Sequence, residues 1–300
     1  MSLVLIIAAL LPAAILMVYV YRKDKVEKEP KGLVARVFVL GMVAGPLAAI
    51  VENILFGVFD ALVPAGMLLL VLQYFVGVAA VEEGFKYLAV LTVRRHPAFN
   101  YVFDGIVYAV AAALGFAALE NVLYVIDGGL EVAVTRALFS VPGHCADGVV
   151  MGCFFGLAKQ REHAGEKAAA RTNYWLAFIL PTIEHGFYDC ALSTESDLMV
   201  LLALAVDIAF VVFAMILVNR ISKNDAPFAP VAAGQAPAQP VQQPGAQAQQ
   251  PVAVVQQPAQ PAQQPPMAQP GQQSGEWVCP HCNTANAGNF CGECGAKRPL

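Results

Sequence analysis

Acidic, imidazole and ammonium side chains occur in four groups inside apolar stretches of the sequence. In chain order the groups are Glu82, Glu83 and Lys86; Glu120 and Asn121; His144 and Asp147; and Glu184, His185 and Asp189. Carboxylates and imidazoles transfer protons and bind metal ions, so these residue types permit hydrolytic chemistry. A charged side chain near the middle of a bilayer costs several kcal/mol and persists where it faces a bundle interior and has a partner or a task. The four groups are therefore candidate functional residues.

Spacing within the groups places their members on common helix faces. Glu82 and Lys86 stand at i and i+4, as do His185 and Asp189, and this spacing brings side chains to one side of a helix. At a rise of about 1.5 Å per residue, the groups reach similar depths in their helices. A lone intramembrane Glu or His more often serves packing, but four groups at matching depth favour one shared polar centre. We interpret three further acids in apolar stretches as structural: Glu52, Asp104 and Asp207. An alternative for Glu52 is that it lines an entrance together with Asn53, since the pair lies near the outer end of its span.

The elements that carry these groups are predicted to be transmembrane helices. The sequence is 58% hydrophobic and 13% charged, with a mean hydropathy of +0.59, which excludes an ordinary water-soluble domain. Seven apolar runs are long enough to cross a hydrocarbon core of about 30 Å. They lie near 3–21, 33–55, 67–92, 103–126, 133–158, 174–192 and 198–219. The predicted fold class is an all-α, polytopic membrane bundle of about seven transmembrane helices.

The distribution of Lys and Arg in the loops predicts the orientation of the bundle. Loops retained in the cytoplasm carry an excess of positive charge, and the basic loops of this sequence all fall on one side of a seven-span arrangement. They are the loops near residues 22–36, 94–95, 159–171 and 220–223. The opposite loops, near 56–66, 127–132 and 193–197, contain no Lys or Arg. We expect a multi-pass protein of the cell membrane with its N-terminus outside and its C-terminus in the cytoplasm.

The C-terminal quarter of the sequence has a different composition. Residues 223–274 are mainly Pro, Gln and Ala with few large apolar groups, which predicts a disordered tether. Residues 275–300 contain Cys279, Cys282, Cys291 and Cys294 as two CxxC pairs, the spacing of a four-thiolate zinc ribbon. Four thiolates leave no open coordination position, so this zinc would be structural. The predicted domains are a membrane bundle at 1–222, the tether at 223–274 and the ribbon at 275–300.

Together, the four groups resemble the motifs of the PrsW family of intramembrane proteases, relatives of the CAAX-prenyl endopeptidase and bacteriocin-immunity superfamily. The matching patterns are EExxK from Glu82, FxxxEN from Phe116, HxxxG from His144 and HxxxD from His185. The resemblance covers roughly residues 1–222 and implies an all-helical bundle that hydrolyses a peptide bond within or at the edge of the bilayer. It also implies a membrane-anchored protein substrate, since family members are implicated in the first cut of regulated proteolysis.

The resemblance implies roles for the motif residues. One of Glu82 and Glu83 would act as the base that activates water while Lys86 pairs with the other; the family analogy favours Glu82, and the spacing leaves Glu83 open. His144 and His185 would bind or polarise the water or steady the oxyanion. The remaining residues would serve as ligand, amide donor and imidazole-orienting carboxylate: Glu120, Asn121 and Asp189, respectively. Two imidazoles with carboxylates allow catalytic zinc, with His144 and His185 as ligands, but they also allow a metal-free glutamate enzyme.

Two other functions are compatible with the same sequence. A proton- or ion-coupled transporter could use the Glu, His and Asp groups as a relay, although the sequence has no convincing internal repeat of the kind common in transporters. A membrane scaffold could recruit a partner through the zinc ribbon. The net charge of −4 gives no reason to expect a nucleic-acid partner. The expected partners are the lipid bilayer, a membrane-anchored protein substrate and a cytoplasmic protein bound through the ribbon.

Overall fold

The computed structural model describes residues 3–228 and two short strands near the C-terminus, Trp277–Val278 and Ala285–Asn286. The part from residue 3 to 228 is helical almost throughout. Its α-helices are α1 Leu3–Lys23, α2 Lys31–Leu62, α3 Met67–Val71, α4 Ala80–Leu91, α5 Val102–Leu138, α6 Ser140–His163, α7 Lys167–Leu192 and α8 Asp197–Asn224. A π-helical segment, Leu72–Ala79, joins α3 to α4. The expected all-helical membrane bundle is confirmed in this part of the chain.

Helix α6 and the first half of α5 form the centre of the bundle. Residues 102–118 of α5 and 143–153 of α6 are buried on every side. The two segments are antiparallel and pack closely, because a Cβ on Gly152 would stand 2.3 Å from the carbonyl oxygen of Gly105. Small residues allow this approach in membrane bundles, where van der Waals packing rather than the hydrophobic effect holds helices together. The two segments therefore form a rigid frame for the side chains they carry.

Five stretches of the described residues are long and apolar enough to cross a membrane. They are Leu3–Lys23, Lys31–Leu62, Met67–Leu91, Val102–His163 and Asp197–Asn224, and the fourth contains both α5 and α6. Helix α7 is not one of them, because polar side chains such as Glu184, His185 and Asp189 lower its mean hydropathy. Several apolar spans in one chain confirm the predicted multi-pass membrane protein.

The π-helical segment lies directly before the Glu82 and Glu83 pair. A π-helical turn changes the rotation of the helix that follows it, and such turns are frequent at functional sites. Gly77 in this segment packs on Phe56 of α2, and a Cβ on Gly77 would lie 2.9 Å from that ring. On the α7 side, Gly186 makes room for Phe75, with a Cβ only 2.7 Å from the ring. The start of α4 is thereby held between α2 and α7.

Helix α5 reverses direction near its C-terminal end. Gly129 has φ 68° and ψ −154°, a backbone conformation that glycine adopts without the steric cost that a Cβ would bring. The short helical segment beyond Gly129 returns along the preceding turns. As a result, Arg136 contacts Glu120 and Asn121.

The segment that follows α8 packs onto the start of α5. Phe228 donates its backbone N–H to the carbonyl of Asn100 at 2.8 Å, and its ring contacts Phe99 and His163. The folded bundle therefore extends past the predicted boundary at residue 222 as far as Phe228. Most of the predicted tether and all four cysteines of the predicted zinc ribbon lie outside the described residues. The strands β1 Trp277–Val278 and β2 Ala285–Asn286 pair in antiparallel register.

Candidate active site

The ionisable groups from several helices meet in a buried cluster around Lys86. The Lys86 ammonium lies 2.7 Å from Glu83 Oε1 and 3.2 Å from Glu82 Oε2, and all three residues belong to α4. On α6, His144 Nδ1 lies 3.1 Å from the same ammonium. The ring of Phe116 on α5 completes the surroundings, with its centroid 4.3 Å from Lys86 Nζ in a cation–π contact. Lys86 and Glu83 are fully buried, so their opposite charges compensate one another inside the bundle.

The partners of His144 define which of its nitrogens carries a proton. An ammonium can only donate, so the Nδ1 that faces Lys86 is the accepting nitrogen. The other nitrogen, Nε2, lies 3.0 Å from Glu120 Oε2 and donates to this carboxylate. His144 therefore carries its proton on Nε2 and directs the lone pair of Nδ1 towards the centre of the cluster.

His185 of α7 stands among three carboxylates. Its Nδ1 lies 3.0 Å from Glu83 Oε1, and its Nε2 lies 3.2 Å from Asp189 Oδ2 and 3.8 Å from Glu82 Oε2. The rings of His185 and His144 meet edge to face, with centroids 5.3 Å apart. Asp189 has the position that an orienting carboxylate needs, one helical turn from the imidazole that it contacts.

A cavity of about 700 Å³ opens beside the cluster. The cluster residues on its wall are Glu82, Glu120, His144, His185 and Asp189, whereas Glu83 and Lys86 lie behind this wall. At about 30 Å³ per molecule, the cavity has room for on the order of 20 waters. Other lining residues come from helix ends remote from the basic loops: Phe56, Thr135, Ser140 and Ser193. The cavity thus lies in the half of the bundle opposite those loops.

Four residues of the cluster form a donor set that suits a metal ion. Glu82, Glu83, His144 and His185 each offer one ligand atom, and these atoms lie within 4.8 Å of one another. Imidazoles and carboxylates are the ligands that zinc takes in hydrolytic sites. Glu83 Oε2 is buried without a hydrogen-bond partner and so leaves one oxygen available for coordination. The residues therefore fit a metal ion, which would share the carboxylates with Lys86.

Asn121 belongs to the second sequence group but points away from the cluster. Its amide nitrogen donates to the carbonyl of Ala9 in α1 at 2.7 Å. Its side-chain oxygen accepts a hydrogen bond from Arg136 Nε at 2.9 Å. The described contacts connect Asn121 to the cluster only through Arg136, whereas the other predicted site residues contact one another directly.

Sequence reasoning missed Arg136, which forms a 2.9 Å ion pair with Glu120. The sequence does contain a signal for Arg136: it is a basic residue in the half of the bundle whose loops contain no Lys or Arg. The cavity wall also contains four acids to which the sequence assigns no catalytic role: Glu52, Asp147, Glu184 and Asp207. Asp147 and Glu184 belong to the predicted groups, whereas the sequence favours a structural interpretation of Glu52 and Asp207, because a cavity that joins several helices is not visible in one-dimensional spacing.

Residues 29–218 match the family model described as PrsW family intramembrane metalloprotease. The chain is 36% identical to Protease PrsW of Oceanobacillus iheyensis over 65% of this chain and 86% of the relative. It is 37% identical to Protease PrsW of Geobacillus kaustophilus over 62% of this chain and 78% of the relative, and 34% identical to that of Bacillus subtilis over 64% and 84%. No solved structure matches the chain. Because the family match spans most of the bundle and every residue of the cluster, this chain belongs to the PrsW family of intramembrane metalloproteases.

Proposed function

We propose that this protein hydrolyses a peptide bond of a membrane-anchored protein substrate with the Glu and His residues of the cluster around Lys86. The observation that carries the proposal is the position of Glu82, His144 and His185 on the wall of one cavity, with coordinating atoms within 4.8 Å of one another. Hydrolysis needs a base for the attacking water, support for the oxyanion and a proton for the leaving amine. The cluster contains groups suited to each task.

Glu82 is the proposed base because it is the member of the carboxylate pair that can reach a water molecule. It lines the cavity, and the Lys86 ammonium is 3.2 Å from it. Glu83 is fully buried and accepts hydrogen bonds from Lys86 at 2.7 Å and from His185 at 3.0 Å. Glu83 is therefore occupied in holding Lys86 and His185, whereas Glu82 faces the space where a substrate would enter.

In the proposed reaction, the water oxygen attacks the carbonyl carbon of the scissile bond as Glu82 takes a proton from the water. The imidazole of His185, on the same wall, steadies the oxyanion that forms. Glu82 then passes the proton to the amide nitrogen, the C–N bond breaks, and a carboxyl and an amine are released. A metal ion held by Glu83, His144 and His185, with Glu82 left free as the base, would polarise the carbonyl and make the water easier to ionise.

We further propose seven crossings, with the N-terminus outside and the C-terminus in the cytoplasm. Helices α1, α2, α5, α6, α7 and α8 account for one crossing each, and the continuous helix Met67–Leu91 accounts for the seventh. This arrangement puts every basic loop on the cytoplasmic side. The cavity then lies in the outer half of the bilayer. We therefore expect the scissile bond to lie near the outer face, in a substrate with a membrane anchor and an accessible segment beside it.

The proposed domain organisation adds a cytoplasmic module to this bundle. The protease-like bundle, predicted at residues 1–222 and extended by the structure to Phe228, would be followed by a tether up to residue 274 and by a ribbon at 275–300 in which Cys279, Cys282, Cys291 and Cys294 bind structural zinc. A tethered module of this kind would bind a cytoplasmic protein partner. Deletion of residues 229–300 should leave cleavage of an accessible substrate intact while changing the choice of partner, because the site lies wholly within the bundle.

The test of the proposed function is cleavage of a single-span substrate reconstituted with the protein in liposomes. Glu82→Gln preserves side-chain size but cannot accept the proton of water, so cleavage should fall by about 10²- to 10⁴-fold. Glu29→Gln is the matched control, because Glu29 is also a buried carboxyl but does not line the cavity. The control should cleave like the wild type.

The amount of folded protein should be measured for each variant by thermal unfolding in detergent. Unchanged cleavage by Glu82→Gln would reject Glu82 as the base. Unchanged cleavage across single variants of Glu82, Glu83, His144 and His185 would reject the site itself. Comparison of membrane-protein fragments from cells that carry the wild type or Glu82→Gln would then identify natural substrates.

A further inference from the structure

Arg136 connects the active-site cluster to helix α1. Its Nη2 lies 2.9 Å from Glu120 Oε2, and its Nε donates to Asn121 Oδ1 at 2.9 Å. Asn121 in turn donates to the carbonyl of Ala9 at 2.7 Å. The guanidinium also packs over the ring of Tyr124, 4.2 Å from its centroid. The planar guanidinium of Arg136 therefore contacts Glu120, Asn121 and Tyr124 at the same time, which restricts its orientation.

The backbone brings Arg136 to this place by the reversal at Gly129. The segment after Gly129 folds back so that residue 136 stands opposite residues 120 and 121. The Arg136 side chain is only 13% exposed and lines the cavity. A guanidinium placed this deeply needs a charged partner, and Glu120 is that partner.

One oxygen of Glu120 serves both Arg136 and His144. Oε2 lies 2.9 Å from Arg136 Nη2 and 3.0 Å from His144 Nε2. Since a carboxylate only accepts hydrogen bonds, His144 has to carry its proton on Nε2 to make this contact. Nδ1 is then free to accept from Lys86, 3.1 Å away. Two contacts therefore set which nitrogen of His144 carries the proton: the Lys86 ammonium at Nδ1 and the Glu120 carboxylate at Nε2.

We propose that Arg136 is a positioning residue of this protease: it fixes Glu120, and through Glu120 it keeps the proton of His144 on Nε2. Asn121 then acts as the anchor that attaches Arg136 to α1, and not as a donor to the substrate. The inference rests on the proposed function only for the statement that His144 takes part in proteolysis. The tautomer of His144 can be measured without any substrate.

The first experiment is nitrogen NMR of the full chain with ¹⁵N-labelled histidine in detergent. The chain contains five histidines, and His144→Gln identifies the signals of His144 by their loss. In the wild type, Nε2 should be protonated and Nδ1 not. In Arg136→Met, His144 should change to a mixture of tautomers, while the signals of His96 and His163, which do not line the cavity, stay in place and report an intact fold. An unchanged His144 tautomer in Arg136→Met would overturn the proposal.

The second experiment measures cleavage in a double-mutant cycle. Arg136→Met should lower kcat by about 10- to 100-fold, as expected for loss of a group that orients an active-site ligand. If Arg136 acts through Glu120, then Arg136→Met combined with Glu120→Gln should cleave no more slowly than Glu120→Gln alone. Multiplication of the two losses would contradict the proposal. Should the proposed function be wrong, neither the wild type nor any variant would cleave the substrate, yet the NMR result would still decide the role of Arg136.

Three further variants control for misfolding and nonspecific effects. Arg136→Lys keeps the charge beside Glu120 but lacks the planar fork that also reaches Asn121, so it should retain the tautomer and recover part of the cleavage rate. If Arg136→Met does not fold, Arg136→Lys with Asn121→Ala carries the test, and a normal tautomer in that pair would refute the role of the anchor. Arg161→Met is the matched control, because it removes an exposed Arg–Glu pair of 2.8 Å remote from the cavity; it should change neither readout.

Discussion

Buried carboxyl groups occur in two regions of this bundle, and only one of them has the features of an active site. In the cluster around Lys86, the carboxylates of Glu82, Glu83 and Glu120 contact an ammonium, two imidazoles and a guanidinium beside a cavity of about 700 Å³. At the start of α5, a second cluster contains Glu29, Asp104, Tyr108 and Asp225. We call it the α5-start cluster.

In the α5-start cluster, backbone N–H groups and a hydroxyl group hydrogen-bond the carboxyls of Asp104 and Glu29. Asp104 Oδ2 accepts the backbone N–H groups of Asn100 and Tyr101 at 2.7 Å each, and the Tyr108 hydroxyl hydrogen-bonds the Glu29 carboxyl. Burial, followed by the negative charge of Asp104, raises the pKa of Glu29 to about 11. Glu29 is therefore protonated at neutral pH and is held as an uncharged hydrogen-bonding group.

Burial of an acid does not by itself identify a functional site. Both clusters contain carboxyls that are at most a few per cent exposed, such as Glu83 and Glu29. The cluster around Lys86 adds cations and access to a cavity, which an enzyme needs for water and substrate. In the α5-start cluster, Asp104 and Asp225 accept hydrogen bonds from backbone N–H groups at the start of α5. The residues of this cluster do not line that cavity.

The largest expected difference between the two regions concerns metal removal. If a metal ion is held by the cluster around Lys86, a chelator should lower cleavage by more than about 10²-fold, and added zinc should restore it. The reason is that the ion lowers the activation barrier of hydrolysis by several kcal/mol. Metal content should be measured on a variant that lacks residues 229–300, so that the tail cysteines do not contribute.

The matched pair for this measurement is Glu83→Gln and Glu29→Gln. Glu83→Gln should lose the bound metal, whereas Glu29→Gln should retain it, since Glu29 lies in the α5-start cluster. Full activity of metal-free protein would instead favour the glutamate enzyme without a metal.

The next effect in size is the stability cost of removing the central cation. Lys86→Met leaves Glu82 and Glu83 buried without their ammonium, which should cost about 3–5 kcal/mol in the free energy of unfolding. Tyr108→Phe, the comparable change in the α5-start cluster, removes one hydrogen bond and should cost about 1 kcal/mol. Chemical unfolding in detergent measures both.

The double variant Lys86→Met with Glu83→Gln provides the control. It should regain part of the lost stability, because one of the uncompensated charges is gone. If Lys86→Met were as stable as Tyr108→Phe, the burial of Glu82 and Glu83 would not depend on the Lys86 ammonium for charge compensation.

Much of the fold and of the candidate site could be predicted from the sequence because both depend on local spacing. Long apolar runs gave the helices, and the i,i+4 spacing of His185 and Asp189 gave a contact that the structure contains at 3.2 Å. The order of the groups along successive helices was enough to expect convergence. The catalytic roles of these residues stay predictions.

What the sequence could not supply are features that depend on the path of the backbone in three dimensions. Arg136 reaches Glu120 and Asn121 only because the chain reverses at Gly129, and Asn121 donates to Ala9 of α1 instead of facing the cluster. The π-helical segment before Glu82 has no sequence signature in spacing or composition. Phe228 packs on the bundle although it lies in a stretch whose composition predicts a tether.

A smaller effect should appear in the pH dependence of stability. The pKa of Glu29 is about 11 in the folded protein and about 4.5 in an unfolded chain, so the folded state keeps a proton that the unfolded state releases. The free energy of unfolding should therefore fall as the pH rises from about 5 towards 11. Glu29→Gln removes the contribution of Glu29 to this dependence and should be more stable than the wild type at pH 9 by at least about 1 kcal/mol.

The measurement is thermal unfolding of wild type and Glu29→Gln at pH 5 and pH 9. At pH 5 the two proteins should differ by less than about 1 kcal/mol, because the wild-type carboxyl is then protonated in the folded state and still about one quarter protonated in the unfolded state. Glu131→Gln, which changes an exposed acid on α5, serves as the control and should follow the wild type. A parallel pH dependence of wild type and Glu29→Gln would show that Glu29 is ionised in the folded state.

The smallest expected effect concerns the link between α8 and α5. Asp225 accepts the backbone N–H of Phe103 in the first turn of α5 at 3.3 Å, so it acts as a helix cap supplied from outside the helix. Asp225→Ala should cost about 0.5–2 kcal/mol, as for the loss of other caps, and Asp225→Asn should cost less because an acceptor oxygen is retained. Neither variant should change the cleavage rate per folded molecule, because Asp225 does not line the cavity. A loss of cleavage with normal stability in Asp225→Ala would instead couple the α5-start cluster to the catalytic centre, and the distinction between the two regions would fail.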